Sequence, residues 1–446
     1  MASTYLIRST PSETFSKLTV SCWFKGMADG TQRNFWGLYD NSDNTRFFGL
    51  YYSSNGSLYA YWKQGGEGVQ FSLGTTQKFR DPSAWYHFVM TMDTTLATAS
   101  DRVKFYVNGE RVTSFEDSLD TITQSKTCNM MNGTTDGRMQ WGGGKISGTQ
   151  YYWNGLMSHC HMCVGYAYDA SSFGSTDSTT GEWKINTSPS VSYGTNGGWW
   201  LKDGSQLTDS SSNSNTLTVG GGTLTNTEDC PSNVFATLNP LHKGTMLTGF
   251  TFANGNNTFT AASTNFPFTC STIAESSGKY YAEFKTTANA NQIGIGISAG
   301  VASAYIGHNQ YDYAYYGLNG NILTNQTNNT AYGNGLSTND ILGVAMDLDN
   351  NKLYFSVNGS WQNSANPSSG TGGFSITAPS STTTGVYHFA LGDEAASTPS
   401  VQCNFGNGFF GTTAISSEGT NASGIGKFEY DVPTGYTALS TKGLNE

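Results

Sequence analysis

The hydrophobic and polar positions of the first quarter of the chain alternate along short segments. Between residues 5 and 115, short apolar runs follow one another, separated by Gly, Asn and Asp. The clearest runs are Leu18–Phe24, Phe47–Tyr52, Leu58–Trp62 and Trp85–Met92. This alternation is the pattern of half-buried β-strands, and the interruptions are typical of turns. No amphipathic helix of useful length interrupts the series, so we predict strands that face one another in a sandwich.

One pattern occurs twice. His87–Asp93 is followed by Val103–Gly109, and Leu342–Asp347 is followed by Leu353–Gly359. In each case a buried strand ends in Asp, a turn follows, and a second strand ends in Asn-Gly, the dipeptide best suited to a tight hairpin. The repetition predicts two sandwiches of related topology. It does not establish a duplication, because hairpins of this kind arise easily.

The apolar pattern thins near the middle of the chain. From about Asp203 to residue 232 small polar residues replace it, including Gly220-Gly-Gly and Asp229-Cys-Pro. Such a composition is typical of loops and linkers. A chain of 446 residues has room for two or three domains, so we place a domain boundary in this stretch or just after it.

Composition narrows the class of protein. Charged residues make up 12% of the chain, about half the usual share, which argues against helical bundles. The aromatic share of 13% and the 54 glycines fit an all-β protein with many turns. A net charge of −10 leaves no electrostatic footprint for nucleic acid. No apolar stretch suits a signal peptide or a membrane span, so we expect a soluble chain made in a cytoplasm.

The seven cysteines are an odd number spread thinly, which predicts free buried thiols rather than a disulfide framework. Cys160 and Cys163, with His159 beside them, have the spacing of a zinc knuckle, but no second pair completes a tetrahedron. We favour the competing interpretation, a strand with alternating faces. Its two faces are Cys160, Met162 and Val164 against His159, His161 and Cys163.

Three segments of the first half share a likeness to one family: Ala84–Asp93, Val103–Glu110 and Tyr152–Met157. They resemble the laminin-G-like, concanavalin A-like lectin/glucanase family, and the resemblance spans about residues 5 to 228. Four further segments look like the form of this domain found in virion proteins of tailed phages, especially marine ones. These segments are Tyr168–Gly174, Gly181–Lys184, Gly198–Leu201 and Asp209–Asn215.

The second half contains a succession of strand-like segments: Gly278–Phe284, Ile293–Ile297, Asp340–Asp347, Leu353–Gly359 and Gln402–Gly406. Their order resembles that of a SPRY domain. The joint at Asp229–Pro240 and the ending at Phe428–Tyr436 look like segments that flank the SPRY unit in phage proteins. Together the two resemblances cover nearly the whole chain, and their combination is more specific than either alone.

The resemblances imply an all-β fold of two tandem antiparallel jelly-roll-like β-sandwiches, concanavalin A-like and then SPRY-like, with little helix. The implied domains are a lectin sandwich at 1–228, a linker at 229–242, a SPRY-like sandwich at 243–410 and a C-terminal segment packing on it at 411–446.

Motifs for catalysis are missing from the sequence. Glycoside hydrolysis needs two carboxylates roughly 5 to 10 Å apart, and laminarinase-type relatives carry them in one Glu-x-Asp-x-(x)-Glu run. The chain has no such run and no GxSxG elbow. The Gly-rich pieces at Trp141-Gly-Gly-Gly and Gly220-Gly-Gly lack the Lys-Ser/Thr that phosphate binding requires. We therefore expect no catalytic residues and no enzyme activity.

What remains is a binding surface for sugars, whose apolar C–H faces stack on aromatic rings while neutral polar side chains meet their hydroxyls. The densest set in the second half is Tyr305, His308, Asn309, Tyr311, Tyr313, Tyr315 and Tyr316. Alternation predicts Tyr311, Tyr313 and Tyr315 on one strand face. The candidates in the first half are Trp36, Tyr61 and Trp62, with Tyr39, Tyr51 and Tyr59. The alternative for all of these rings is packing in a sandwich core.

No cofactor is expected, although calcium stays open because some laminin-G-like domains hold it through loop carboxylates and carbonyls. The candidate ligands are Asp93, Asp101, Asp347 and Asp349. The alternative is that each Asp at a strand-to-turn junction caps its own turn.

The resemblances imply a non-enzymatic structural protein on the outside of a phage particle, as a capsid decoration or knob or as part of a tail fibre. The chain lacks heptads, a Gly-X-Y tract and β-helical repeats for a shaft, which favours the compact role. Its expected partners are other virion proteins and a host surface glycan, without nucleic acid or membrane insertion, and homotrimerisation is open. The alternatives are a polysaccharide depolymerase and a capsid cement without glycan affinity.

Overall fold

The computed structural model describes the chain as two compact units, unit 1 at residues 1–226 and unit 2 at residues 227–446. The described residues are 4–26, 30–82, 84–116, 122–130, 136–202, 207–242, 249–262, 266–301, 305–326, 328–394 and 397–442. Their only helical segments are 3₁₀ turns at Gly65–Glu67, Ala99–Asp101, Ala170–Ser172, Ala290–Gln292, Pro367–Ser369 and Pro379–Ser381. Within these residues, no helix has the length and apolar character to cross a membrane.

Unit 1 is built from short strands. In chain order they are β1 Tyr5–Ser9, β2 Lys17–Gly26, β3 Arg33–Asp40, β4 Asp43–Tyr52, β5 Leu58–Gln64, β6 Val69–Gly74, β7 Tyr86–Asp93, β8 Val103–Val107, β9 Glu110–Val112, β10 Gly137–Trp141, β11 Gly143–Ile146, β12 Thr149–Tyr152, β13 Gly155–Val164, β14 Gly174–Thr176, β15 Trp183–Ile185, β16 Gly198–Trp200 and β17 Thr218–Gly221.

These strands form two antiparallel sheets with a shared core. The seven-stranded sheet has the order β17-β1-β10-β3-β4-β5-β6, and the six-stranded sheet has the order β16-β13-β2-β7-β8-β9. Alternate side chains of each strand enter the core, such as Leu18 and Val20 from β2 and Leu38 from β3, all fully buried. The small hairpins β11-β12 and β14-β15 complete the described part of the unit.

Unit 2 is also built from short β-strands. In chain order its strands are β18 Phe250–Ala253, β19 Thr258–Ala261, β20 Phe268–Cys270, β21 Lys279–Ala288, β22 Ile293–Ser298, β23 Asp312–Tyr316, β24 Asn321–Thr324, β25 Asn328–Ala331, β26 Ile341–Asp347, β27 Lys352–Val357, β28 Ser360–Trp361, β29 Phe374–Ser375, β30 His388–Asp393, β31 Ser400–Asn404, β32 Phe409–Phe410, β33 Thr413–Ala414 and β34 Thr437–Ala438.

A nine-stranded sheet and a six-stranded sheet enclose the core of unit 2. The first has the main order β18-β19-β31-β21-β26-β27-β28, with β29 beside β27 and β34 beside β21, and the second has the order β20-β30-β22-β23-β24-β25. One pair departs from the antiparallel expectation, because β34 runs parallel to β21 at Tyr280 and Tyr281. Strand β31 pairs with β21 only from Glu283 onward, which leaves this edge for β34.

The all-β fold of antiparallel sandwiches is thus confirmed, and so is the repeated hairpin. Asn108 and Gly109 have φ of 47° and 82°, and Asn358 and Gly359 have φ of 47° and 77°. Two consecutive positive φ angles are the geometry of a type I′ turn, which explains the choice of Asn-Gly at both places. The Asn358 side chain also accepts a hydrogen bond from Ile341 N at 2.9 Å. The Asn108 side chain does the same for His87 N at 2.8 Å.

The segment at 229–242, predicted as a linker, belongs to unit 2. Phe235 pairs with Ser440, and Leu238 pairs with Ser271. The C-terminal segment covers the outer face of the nine-stranded sheet, where Phe428 and other apolar side chains are buried. The predicted start of the second sandwich at residue 243 and the thinning at Asp203 lie outside the described residues.

Candidate functional site

Three tyrosines stand together on the outer face of the seven-stranded sheet of unit 1. Alternation in β4 and β5 sends Phe48 and Trp62 into the core, and turns Tyr51, Tyr59 and Tyr61 outward, where all three are half-buried. Tyr51 stacks on Tyr59, with ring centroids 5.1 Å apart and planes 11° apart. We call these three residues the tyrosine face.

Neighbouring side chains fix the orientation of the rings in the tyrosine face. Tyr61 stacks on the buried ring of Phe47, with centroids 5.3 Å apart. Tyr59 Oη donates to Glu116 Oε1 at 2.7 Å, and Lys78 Nζ lies 2.7 Å from Glu116 Oε2. The ion pair with Lys78 and further donors lower the pKa of Glu116 to about 2. The rings are therefore oriented before any ligand arrives.

A hairpin borders the tyrosine face on one side. Strands β11 and β12 lie over β3, and a Cβ atom on Gly37 would come within 3.3 Å of the Gly144 Cα atom. Ile146 of the same hairpin covers Gly49 of β4, within 3.5 Å of where a Cβ would stand. The strip of sheet between this hairpin and the edge strand β6 carries the tyrosines.

Two of the predicted sugar-binding residues in this unit need a correction. Trp36 and Trp62 are fully buried in the core of unit 1. Trp62 stacks on Phe48, with centroids 5.8 Å apart, and Trp36 lies edge-on to the same ring. No sugar ring can stack on side chains without exposed surface, so the hypothesis of glycan contact extends to Tyr61 but not to these two.

Some residues of the predicted cluster in unit 2 are buried in the core, and the others are partly exposed. Tyr313 and Tyr315 are buried in the core, where their hydroxyls bond to Thr377 Oγ1 and Asn334 O. Tyr311, which precedes β23, is partly buried against the same core. The three tyrosines do share a face, but it is the inner one, so Tyr313 and Tyr315 are packing residues rather than ligand contacts.

Besides Tyr311, four members of the predicted cluster remain partly exposed. Tyr305 and His308 form an edge-to-face pair with centroids 5.0 Å apart. The Asn309 side chain accepts a hydrogen bond from Tyr311 N at 3.0 Å, and this bond shapes the turn into β23. Tyr316 lies half-buried at the end of β23. The structure therefore brings Tyr305 and His308 together, whereas Asn309 has a local structural role.

A polar pocket of about 180 Å³ opens on the outer side of the six-stranded sheet of unit 1. Its lining residues are Thr91, Asp93, Leu96, Asp101, Lys104, Tyr106, Ala167 and Asp169. We call it the aspartate pocket. Burial, followed by the charge of Asp169, raises the pKa of Tyr106. The lining comes from β7, β8 and a loop far away in sequence, so no motif in the sequence indicated the pocket.

The protein itself uses the carboxylates that were candidate calcium ligands. Asp93 pairs with Lys17 at 2.9 Å and caps the following turn through Thr95 N at 3.0 Å. Asp347 accepts from Asn350 N at 3.0 Å, which is the predicted alternative of a turn cap. Asp101 accepts from Arg111 at 2.8 Å.

Asp349, the remaining candidate, accepts from Gly278 N at 2.7 Å. Over the described segments, no set of three or more His, Cys, Asp or Glu side chains is arranged to hold a metal ion.

The segment with zinc-knuckle spacing is the predicted strand with alternating faces. In β13, Cys160 enters the main core while Cys163 packs on the opposite side of the sheet. His161 stacks on Trp199, with centroids 5.0 Å apart, and bonds to the Tyr193 hydroxyl at 3.0 Å. Burial raises the pKa of both thiols, which keeps them protonated and poor as ligands or nucleophiles.

Sequence reasoning missed a buried carboxyl group in unit 2. Glu283 of β21 is fully buried, and it accepts from Glu429 N at 2.9 Å and from Tyr430 N at 2.8 Å. The Tyr281 hydroxyl and the Asn404 amide also donate to it. Burial outweighs these donors and raises the pKa of Glu283 to about 7. A single Glu inside an apolar strand was the only signal available.

Comparison with known proteins identifies the class of fold. Residues 2–162 match a family model described as the concanavalin A-like lectin/glucanases superfamily, which confirms the resemblance for that part of the chain. No curated protein matches the chain.

Solved structures of several kinds are similar to parts of the chain. The SPRY domain of human HERC1 is 15% identical, with a TM-score of 0.29, over 37% of this chain and 96% of that one. The CBM40 of a Ruminococcus gnavus sialidase, bound to α2,3-sialyllactose, is 18% identical with a TM-score of 0.27, over 35% and 79%. A pentraxin from Limulus polyphemus is 16% identical with a TM-score of 0.28, over 37% and 72%.

Proposed function

We propose that this protein is a non-enzymatic structural protein on the surface of a tailed-phage particle, where unit 1 contacts host glycans through the tyrosine face. The lectin-like superfamily of residues 2–162 supports a binding role for unit 1. The phage assignment is supported by the sequence resemblances described above. Localisation on the virion surface, after synthesis in the host cytoplasm, follows from that assignment.

The observation that carries the proposal is the geometry of the tyrosine face. Tyr51, Tyr59 and Tyr61 are partly exposed on the outer face of the sheet, and two of them are fixed by ring stacking with each other. Aromatic rings held in place lose little conformational entropy when a sugar stacks on them. Lys63, partly exposed two residues beyond Tyr61 on the same strand, offers a donor to sugar hydroxyls.

A binding role suits this face better than hydrolysis. A glycosidase needs one carboxyl group whose pKa is raised, so that it can protonate the leaving group. Glu116, which contacts Tyr59, instead has its pKa lowered by Lys78 and stays an anion. The chemistry beside the tyrosines therefore favours recognition of an intact glycan.

Binding to a host-glycan array, with three matched Tyr→Ala variants, tests the tyrosine face. We expect wild type to bind, and Tyr61→Ala to weaken binding about tenfold through loss of stacking. Tyr166→Ala, at an exposed ring outside the tyrosine face, should bind like wild type. Loss of binding in Tyr316→Ala but not in Tyr61→Ala would move the site to unit 2 and contradict the assignment.

The two alternative functions have their own measurements. Incubation with host capsular or cell-wall polysaccharide should release no oligosaccharides, and turnover abolished by a single Asp or Glu substitution would establish a depolymerase. A cement protein would show no glycan binding at millimolar ligand, and its deletion would destabilise particles. Immunogold labelling of intact particles should decorate their surface, and its position separates capsid from tail.

A further inference from the structure

Units 1 and 2 contain one matched four-strand motif. Strands β2, β7, β8 and β9 of unit 1 are paired in the same order as β21, β26, β27 and β28 of unit 2. In unit 1, Lys17 stands opposite Asp93 and their charges meet at 2.9 Å. In unit 2, Lys279 stands opposite Asp347 and their charges meet at 3.1 Å. Together with the Asn-Gly turns, these ion pairs fix a residue-by-residue correspondence.

The correspondence relates the aspartate pocket to a defined place in unit 2. Counting from the aligned strand ends, Thr91 corresponds to Ala345 and Asp93 to Asp347. In the following strand, Lys104 corresponds to Tyr354. The side chains at these positions all lie on the outer side of their sheet, since their neighbours in each strand enter the core.

In unit 2 this place is filled by a six-membered ring of the protein itself. Tyr436, from the C-terminal segment, is 2% exposed and packs in one cluster with Ala345 and Tyr354. Lys279 Nζ lies 5.7 Å from the centre of the Tyr436 ring. Burial, followed by the charge of Asp347, raises the pKa of Tyr436.

In unit 1 the same place opens into the aspartate pocket, and its lining is hydrophilic where that of unit 2 is apolar. Thr91 and Lys104 stand where unit 2 has Ala345 and Tyr354. Two further carboxylates, Asp101 and Asp169, complete the polar side.

Each of these two carboxylates is held through one oxygen. Asp169 Oδ1 accepts from Ser171 N at 3.1 Å, and Asp101 Oδ1 accepts from Arg111 at 2.8 Å. The described residues provide no hydrogen bond to either Oδ2 atom.

We propose that the aspartate pocket binds a single hydroxyl-bearing sugar ring at the place that Tyr436 takes in unit 2. Its volume of about 180 Å³ is below the roughly 300 to 1,000 Å³ of sites for drug-sized ligands, so one pyranose ring suits it better than an oligosaccharide. Carboxylates accept charge-assisted hydrogen bonds from sugar hydroxyls, and Lys104 donates one. The inference rests on the proposed glycan-binding function and adds to it a second saccharide site on the opposite sheet of unit 1.

Titration of the full-length protein with a panel of neutral methyl pyranosides tests the pocket, with saturation-transfer NMR as the readout. We expect millimolar binding by wild type, and binding at least about fivefold weaker in Asp169→Asn, which keeps the side-chain shape but weakens one acceptor. Ala167→Trp should abolish binding because its ring fills the pocket. Asp177→Asn, at a partly exposed carboxylate paired with Lys184, is the matched control and should bind like wild type.

The outcomes separate this inference from the proposed function. If Ala167→Trp binds pyranosides with wild-type affinity and has an unchanged melting curve, the aspartate pocket is not a sugar site. The proposal for the tyrosine face is then judged by the glycan array alone. Loss of the pyranoside signal in Ala167→Trp but not in Tyr61→Ala would support the pocket as a separate site. Absence of any saccharide binding by wild type, in the titration and on the array, would overturn both. Calcium binding that depends on Asp169, without pyranoside binding, would also overturn the sugar assignment.

Discussion

Both units turn tyrosines outward from a sheet, but only one of them leaves these rings exposed. In unit 1, Tyr59 and Tyr61 stay half-buried on the outer face of the seven-stranded sheet. In unit 2, Tyr281 and Tyr354 are fully buried, because the C-terminal segment with Phe428 lies over them. The local pattern of the strands is the same in both cases. A segment distant in sequence therefore decides whether a tyrosine face becomes core or remains surface.

The largest effect on this difference between the units should come from removing the Glu283 carboxyl group, which binds the C-terminal segment to the nine-stranded sheet of unit 2. Glu283→Ala leaves the buried amides of Glu429 and Tyr430 without an acceptor and opens a cavity. We expect unit 2 to lose about 4 kcal/mol of unfolding free energy, measured by chemical denaturation. Glu418→Ala, at an exposed position of the same segment, should change little. A loss below about 1 kcal/mol in Glu283→Ala would show that the carboxyl group does not hold the segment.

A matched pair of tyrosine substitutions measures the contrast directly. Tyr436→Ala removes a buried ring from the covered face, with an expected loss of about 3 kcal/mol in calorimetry. Tyr61→Ala removes a half-buried ring from the open face, with an expected loss below about 1 kcal/mol. Equal losses for the two variants would mean that the open face is as much a structural element as the covered one.

The stability of unit 2 should also respond to pH. The fold raises the pKa of Glu283 to about 7 and that of Asp312 to about 6, in both cases mainly through burial. An acid with a raised pKa in the folded state stabilises the fold at low pH, and that contribution is lost as pH rises through the folded value. We expect these two groups to lower the unfolding free energy of unit 2 by on the order of 2 kcal/mol between pH 6 and pH 8, in addition to the share of Glu394, whose pKa burial also raises.

Glu283→Gln isolates the share of Glu283 in this pH dependence. The amide does not titrate, so the slope of unfolding free energy against pH should become shallower in this variant, while the share of Glu394, whose pKa burial also raises, remains. An unchanged slope would assign the pH dependence to other groups. The slope is the decisive measurement, since the amide also changes the hydrogen bonds at neutral pH.

The two Asn-Gly turns should respond alike, because this part of the motif is identical in both units. Asn108→Ala and Asn358→Ala force alanine into a positive φ of 47°. Each should cost its unit about 1 kcal/mol in thermal unfolding. The glycine variants at the same positions should cost less, because glycine adopts this conformation freely. A much larger cost in one unit would show that the correspondence ends before the turn.

The alternation of apolar residues was sufficient to predict strands, hairpin turns and an all-β fold. The alternation was not sufficient to predict which face of a strand points into the core. In Leu58–Trp62 both faces are aromatic or apolar, so the period shows that Tyr61 and Trp62 point to opposite sides but not which side is the core. Tyr313 and Tyr315 were uncertain for the same reason, and packing against the facing sheet decides the outcome.

The sites that sequence did not reveal are assembled from distant segments. The aspartate pocket combines Thr91 and Lys104 with Asp169, which no local spacing connects. The two backbone donors to Glu283 lie 146 and 147 residues further along the chain. Contacts of this separation depend on the complete topology. The tyrosine face could be proposed only in part, since its border with the β11-β12 hairpin also depends on topology.

The pairing of Phe235 with Ser440 joins the first and last parts of unit 2, and it has a consequence for synthesis. The ribosome delivers Phe428 and Tyr436 after almost all other residues of the unit have emerged. Until then the nascent sheet presents bare aromatic rings and an unsatisfied acid to solvent. Emergence of this last segment, rather than emergence of the strands, should therefore time the maturation of the unit, and a ribosome stalled before that point would hold the unit in a form that attracts chaperones.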